Sequence, residues 1–226
     1  MRLRTPNRWD VDTRTACDIQ KRLRRDLIRT GSPEHVRLVA GADVSYNRGS
    51  DRFIAGVVVL SFPELETVEE VSAVATVTFP YIPGLLTFRE GPVMVEAFRK
   101  LKHRPDLVLF DGQGVAHPRG MGLAAHMGLI IDLPAIGCAK SRLCGEHRES
   151  GIEAGSAERL VYKDKLIGKV VRTRRGVKPV FVSVGHRIGL AAAVRWVLKC
   201  CRGVRLPEPT RRAHQLVNRV RTDHEQ

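Results

Sequence analysis

The chain has 226 residues and a mass of 25.2 kDa, with 43% hydrophobic and 27% charged residues. That is globular composition and excludes wholesale disorder; apolar runs no longer than Ile54–Leu60 and Leu190–Val194 exclude a membrane-spanning helix, which needs ~20 residues. Thirty-eight basic residues against 24 acidic ones give a net charge of +14 and a pI near 10.3, a field that attracts polyanions through their phosphates.

The opening stretch MRLRTPNRWDVDTRT has no apolar core and carries Asp10 and Asp12. It reads as neither a secretory signal nor a transit peptide, so a cytoplasmic protein is expected. Residues 15–30 set Ile19, Leu23, Leu27 and Ile28 at helical spacing among arginines. Three strand-like runs follow, Val36–Tyr46, Phe53–Phe62 and Val68–Phe79. The short separators 47–50 and 63–66 predict antiparallel hairpins. A Pro- and Gly-rich loop, Pro80–Leu86, precedes a helix from about Arg89 to Lys102. Leu107–Phe110 is a short, wholly apolar run of the kind found in buried central strands.

A helix near Leu123–Asp132 leads to a strand at Ala135–Ala139. Residues 146–176 are polar and irregular, with a candidate hairpin around Asp164. A strand at Pro179–Val184, an apolar helix at Leu190–Cys200 and a last helix from Pro207 through Val220 complete the chain. No repeat or linker interrupts it, so one domain spanning 1–226 is expected, with 1–14 flexible or peripheral. Three antiparallel strands, then crossover helices onto parallel strands, predict a mixed β-sheet with helices on both faces. That α/β order is the ribonuclease H-like architecture, a likeness that does not by itself establish chemistry.

The basic excess is uneven. It falls in the first forty residues, in Lys140–Lys178 and in the C-terminal helix, while 51–100 is acidic by contrast. The cysteines, Cys17, Cys138, Cys144, Cys200 and Cys201, show no C-x-x-C spacing, which points to inert thiols in a reducing compartment.

Three acids stand out by position. Asp43 interrupts the apolar strand LVAGADVSY, Asp111 terminates LVLF, and Glu90 opens the first long helix. If the first and fourth strands are neighbours, Asp43 and Asp111 face each other, and buried like charges need a cation between them. Hard oxygen ligands suit Mg²⁺ or Mn²⁺, and two such ions ionise water and stabilise the leaving oxygen of a phosphodiester. Each acid has an ordinary alternative. Thr87-Phe88-Arg89-Glu90 fits a capping box. Asp43 fits a turn or edge-strand residue, and Asp111-Gly112 a strand-terminal turn. DGQG also resembles the phosphate loops of actin-like ATPases, but those need a duplicated domain and this chain is too short for one.

Several collinear segments between about 35 and 215 sharpen the picture: GADVSY (Gly41–Tyr46), FPYIPGLLTFREGP (Phe79–Pro92), LFDGQGVAHPRGMGLAAHMG (Leu109–Gly128), IGCAKSRLCG (Ile136–Gly145), KPVFVSVGHRIGL (Lys178–Leu190) and RLPEPTRRAH (Arg205–His214). Together they resemble the endonuclease V family. The resemblance implies a ribonuclease H-like fold and a Mg²⁺-dependent nuclease, with Mn²⁺ as a substitute. It implies recognition of deoxyinosine in DNA and cleavage of the second phosphodiester 3′ to it, as in DNA repair. An inosine-specific endoribonuclease acting on RNA, and a non-catalytic nucleic-acid-binding module, are the alternatives; the intact acids argue against the last. A monomer with no membrane association is expected.

By resemblance, Asp43, Glu90 and Asp111 fall on the family's metal-binding carboxylates, and His214 on a further metal-site position. Without the resemblance His214 reads as a packed helix histidine beside Ala213, Leu216, Val217 and Val220. Lys140 falls on the lysine near the scissile phosphate. His117 matches a histidine that would orient water or phosphate, with a backbone-bonded loop residue as its alternative. Pro80, Tyr81, Ile82 and Pro83 match a strand-separating wedge, stiffened by two prolines. Leu86, Gly112, Gly114, Gly122 and Leu143 are the expected lesion pocket, with glycines admitting backbone groups to the base. Gly120-Met121 departs from the larger pair commoner in the family.

Overall fold

The computed structural model describes residues 1, 3–47 and 49–223; Arg48, in the first hairpin connection, and Gln226, the end of the expected domain, lie outside the described residues. Eight strands form one sheet in the order β3-β2-β1-β4-β5-β8-β7-β6. β1 (Leu38–Tyr46), β2 (Arg52–Ser61) and β3 (Thr67–Thr76) are an antiparallel meander. β4 (Leu107–Phe110) and β5 (Ala135–Ala139) join it in parallel. The crossovers are α2 (Leu86–Arg99) and α3 (Leu123–Ile131). β6 (Ala157–Tyr162), β7 (Lys165–Val171) and β8 (Val180–His186) close the far side, with β8 antiparallel to β5. α1 (Thr13–Leu23), α4 (Leu190–Lys199) and α5 (Glu208–Asp223) complete the ribonuclease H-like mixed sheet with helices on both faces.

The period-two alternation of strands splits the core into two layers. Ala40 and Ala42 of β1, with Val108 and Phe110 of β4, pack under α2 and α3. Val39 of β1, with Leu107 and Leu109 of β4, packs under α4 and α5. Asp43 has the parity of Val39, so β1 turns it toward the α5 side.

Three elements differ from their sequence reading. The first helix ends at Leu23, followed by a 3₁₀ turn at Arg24–Asp26, rather than running to residue 30. Beyond it the backbone is extended and serves a different bond: Arg187 N–H donates to the Ile28 carbonyl at 2.7 Å. α2 begins at Leu86, three residues early. The polar segment 146–176 contains two sheet strands joined by the hairpin at Asp164. Lys163 and Asp164 both sit at positive φ, 49° and 60°, as a two-residue hairpin turn requires. Within the N-terminal stretch, Arg4 and Trp9 make contacts with the body of the fold. Arg4 N–H donates to the Ile130 carbonyl at 2.7 Å, and the Trp9 ring lies 5.9 Å from Phe88 and 5.4 Å from His126.

His126, fully buried on α3, faces the Asn7 amide oxygen at 2.7 Å. Burial pushes its pKa down to about 3, so it is neutral in the fold. The unfolded chain takes up a proton near pH 6.5 that the folded chain refuses, so stability rises with pH across that interval and is lost as pH falls below 6.5. Going from pH 7 to pH 5 should cost about 2 kcal/mol through this group. Urea unfolding at the two pH values tests it: His126→Phe should reduce the difference, and an unchanged pH dependence would remove His126 as its source.

Candidate active site

Parallel pairing of β1 and β4 aligns Ala42 with Phe110, and the Asp111 N–H donates to the Ala42 carbonyl at 3.2 Å. The next residue on each strand is an acid, Asp43 and Asp111. His214 joins them from α5. Its Nδ1 lies 2.8 Å from Asp43 Oδ2, and one ligand atom from each of the three residues falls within 4.8 Å of the others. Two glycines permit this. A Cβ on Gly41 would lie 1.9 Å from the Pro209 carbonyl oxygen, and one on Gly56 would lie 2.7 Å from Val217 Cγ1. Bare backbone at both positions lets α5 rest on β1 and β2, which sets His214 over Asp43.

Lys140, just beyond β5, places Nζ 2.5 Å from Asp111 Oδ2. Glu90 reaches the same region from α2 and is buried. Its pKa is pushed up to about 8, first by burial, then by the charges of Asp43 and Asp111. Burial and Asp111 likewise raise Asp43, against the opposing pull of His214 and Lys140. The α2 N-cap is Leu85 and has no side-chain cap, so the capping-box reading of Thr87 and Glu90 does not hold. Acids whose proton affinity is raised by burial and by one another's charge fit a hard divalent cation.

Beside the acids lies a cavity of about 260 Å³, smaller than the ~300–1,000 Å³ of drug-sized pockets and suited to a single base. Thr87 on α2, Gln113 just past Asp111, and Ala139 and Ser141 flanking Lys140 all line it, so it abuts the acids on three elements. Of the expected pocket residues, Leu86, Gly122 and Leu143 line it. Gly112 and Gly114 do not. Gly114 is glycine because β8 crosses behind it: a Cβ would lie 2.1 Å from the Val184 carbonyl oxygen, and its N–H donates to Ser183 Oγ at 2.8 Å. Gly112 abuts the Leu123 side chain.

The segment Pro80–Pro83 forms one wall of the cavity through Tyr81, Ile82 and Pro83. Ile82 packs on a small cluster with Leu85 and Phe88, whereas Tyr81 is 64% exposed and outside the core. The Gly84 carbonyl anchors the loop. It accepts from Arg119 at 2.6 Å and Gln20 at 3.0 Å, and His117 Nε2 lies 2.9 Å away. The other His117 nitrogen, Nδ1, accepts from the Arg119 N–H at 3.1 Å. Burial, then Arg119, lowers the His117 pKa to about 4, so the ring is neutral and both its nitrogens are engaged with backbone. This is the backbone-bonded loop histidine rather than a group free to orient water or phosphate.

Sequence reasoning missed the supports. Asn218, one turn from His214, approaches its Nε2 at 3.1 Å. Arg205 donates to the Lys140 carbonyl at 2.6 Å. Gln20 is fully buried on the Ala16–Leu23 stripe of α1, and a glutamine at such a position was the available signal.

The family model for endonuclease V matches residues 21–215. The chain belongs to the endonuclease V family. It is therefore a nuclease, and the family is metal-dependent. It is 52% identical over 216 residues to an endonuclease V of Gloeobacter violaceus, covering 94% of this chain and 88% of that protein. The crystal structure of the endonuclease V from Streptomyces avermitilis superposes with a TM-score of 0.92 at 40% identity, each chain wholly covered. An endonuclease V of Ciona intestinalis, solved with a 23mer DNA containing an inosine followed by a ribo-adenosine, superposes at 0.81 and 28% identity over 94% of this chain and 99% of that one.

Glu90→Gln separates ligand from structural residue in this endonuclease V. Glutamine keeps the shape and removes a repelled charge, so the metal-free variant should unfold at the same or a higher urea concentration. Its turnover should fall by at least about a hundredfold, on the scale of losing one charge-stabilising group. Full activity would strike Glu90 from the site.

Proposed function

We propose that this protein recognises deoxyinosine in DNA and hydrolyses the second phosphodiester bond on its 3′ side, leaving 3′-hydroxyl and 5′-phosphate ends and opening repair of deaminated adenine. The observation that carries the reading is the Asp43–Asp111–His214 cluster with Lys140, abutting a base-sized cavity behind an exposed tyrosine. A single domain carries both parts.

Asp43, Glu90, Asp111 and His214 would hold Mg²⁺. Bound there, a divalent ion supplies Lewis acidity and favours ionisation of water at neutral pH. The chain's own residues do the rest. Lys140 carries a fixed positive charge at Asp111, beside the place where a phosphate would lie against the acids. Arg205 holds that backbone, and Asn218 holds the His214 ring. The Leu86, Gly122 and Leu143 pocket takes the base once it has left the stack. A backbone donor at O6 and an acceptor at N1–H favour hypoxanthine over adenine, since a buried mismatched polar group costs ~1–3 kcal/mol. Tyr81, held out by its two prolines, fills the gap left in the stack. His117 serves as a positioning residue for that loop through the Gly84 carbonyl.

The ribo-adenosine after inosine in the Ciona complex supports a second reading, an enzyme acting on inosine in RNA. Paired deoxyinosine and ribo-inosine oligonucleotides, cut with Mg²⁺ and with an EDTA control, distinguish the two.

Asp111→Asn should abolish cleavage yet leave binding of inosine oligonucleotide intact or tighter, because a charge that repels phosphate is gone. Wild-type cleavage by this variant, or by the wild type in excess EDTA, would end the metal reading.

Tyr81→Ala leaves the acids untouched and removes stacking worth ~1–3 kcal/mol per base. Affinity for lesion duplex, titrated in Ca²⁺ to block cleavage, should drop roughly ten- to hundredfold. The drop should be smaller on single strands, where less stacking must be broken. Equal affinity for lesion duplex would reject the wedge.

A further inference from the structure

A second cavity, of about 300 Å³, lies between the β6–β7 hairpin and the segment around the 3₁₀ turn after α1. Arg24 and Arg29 line one wall and Tyr162, Lys163, Lys165 and Leu166 the other. All four cations are exposed, and among the described residues none is paired with a carboxylate. Elsewhere on the surface pairing is common: Arg4 with Asp132, Lys21 with Asp18, Arg99 with Glu96, Arg211 and Arg212 with Glu208. Asp164, at the hairpin tip, lines a different cavity with Glu158 and Arg159. Partial burial and the charge of Arg24 both disfavour the charged form of Arg29, so like charges are held together with no internal counter-ion.

We propose that this groove is a second nucleic-acid subsite, which holds the single strand on the 5′ side of the flipped nucleotide. The assignment rests on the endonuclease reading above. Exposed cations around an aromatic ring and an exposed leucine are the ingredients of a single-strand groove, where cations follow the backbone and bases lie on apolar surface. Lys163 already lies over the Tyr162 ring, 5.5 Å from its centre, so ring and charge form one surface.

Continuity with the base pocket supports the same strand. His117 lines both cavities, and Arg24 lies against the loop just beyond it: a Cβ on Gly120 would come within 2.9 Å of Arg24 Nε. Sheet order sets the direction. The acids stand at β1 and β4, the base pocket draws on the ends of β4 and β5, and β7 lies past β8 on the other side. With the cut on the 3′ side of the base, the groove receives the 5′ flank.

Fluorescence anisotropy in EDTA, where nothing is cut, tests this. Deoxyinosine strands keep a fixed 3′ flank while the 5′ flank grows from about one to about eight nucleotides, its upper end within the ~4–16 nucleotides that one single-strand groove covers. The wild type should bind more tightly as the 5′ flank grows. Lys163→Ala/Lys165→Ala, at an exposed turn that tolerates change, should lose roughly tenfold on the longest strand and nothing on the shortest. Its slope of log affinity against log salt should shrink by about 0.7 per phosphate contact removed. Arg24→Ala/Arg29→Ala should do the same from the opposite wall. Cleavage of the shortest strand should match wild type in both variants. Variants that keep the full 5′ gain overturn the subsite, and a gain found only on a matching 3′ ladder overturns its direction. The same ladder with deoxyadenosine in place of deoxyinosine isolates the groove. If the wild type shows no inosine preference, the lesion reading fails while the flank dependence still reports on Lys163 and Lys165.

Discussion

Asp43 and Asp111 are set side by side by the backbone itself. Parallel pairing of β1 with β4 fixes the two positions before any side chain has a choice, and the Asp111 N–H locks the register on the Ala42 carbonyl. Glu90 enters the same space from the opposite layer. The result is a buried anionic cluster that is unfavourable on its own, and it shows in raised proton affinities at Glu90 and Asp43. Much of the surrounding structure moderates that charge. Lys140 pairs with Asp111, His214 bonds Asp43, and Arg205 fixes the strand end that carries Lys140. The bare backbone of Gly41 and Gly56 is part of the same solution, because without it α5 could not deliver His214.

A second centre of organisation is a single carbonyl. Gly84 O takes contacts from Gln20 of α1 and from His117 and Arg119 of one loop, so the loop carrying Tyr81 is held by three side chains from two separate parts of the chain. Gln20 also donates to the Met121 carbonyl at 3.0 Å, which ties the pocket's far wall to the same helix. An exposed aromatic ring on a mobile loop would lose ordering entropy on each binding event; anchoring the loop avoids that cost.

The fold was legible because its signals are local. LVLF between polar stretches reads as a central strand, and the hydrophobic runs of β1 to β3 alternate with short turns. The acids were legible because a carboxylate in or after an apolar strand has few structural uses. What the sequence concealed depends on distant contacts. Gly114 resembles a base-approach glycine until β8 is seen behind it. His117 resembles a phosphate ligand until both its nitrogens are found on backbone. Helix α2 begins three residues early, so Thr87 and Glu90 are in its first turns and cannot form the box their spacing suggests. The strands within 146–176 are polar because β6 is an edge whose outward side chains meet solvent, and edge strands lack a two-sided apolar signature.

Net charge and site charge have opposite signs, and that opposition divides the labour. A +14 surface draws a polyanion from a distance, but on the proposed reading the reacting phosphate must finally lie against buried acids that repel it. Neither property alone gives an enzyme: a uniformly basic cleft would bind without cutting, and an anionic cleft alone would not be reached. The cations proposed to hold the flanking strand, Lys163 and Lys165 of the β6–β7 hairpin and Arg24 and Arg29 after α1, line a cavity that none of the carboxylates lines, so they can favour the strand without neutralising Asp43 or Glu90. Lys140 stands at the boundary, paired with Asp111 yet 36% exposed. On the proposed reading, affinity is spread over a surface away from the acids, while the chemistry is confined to the few positions where β1, β4, β5, α2 and α5 converge.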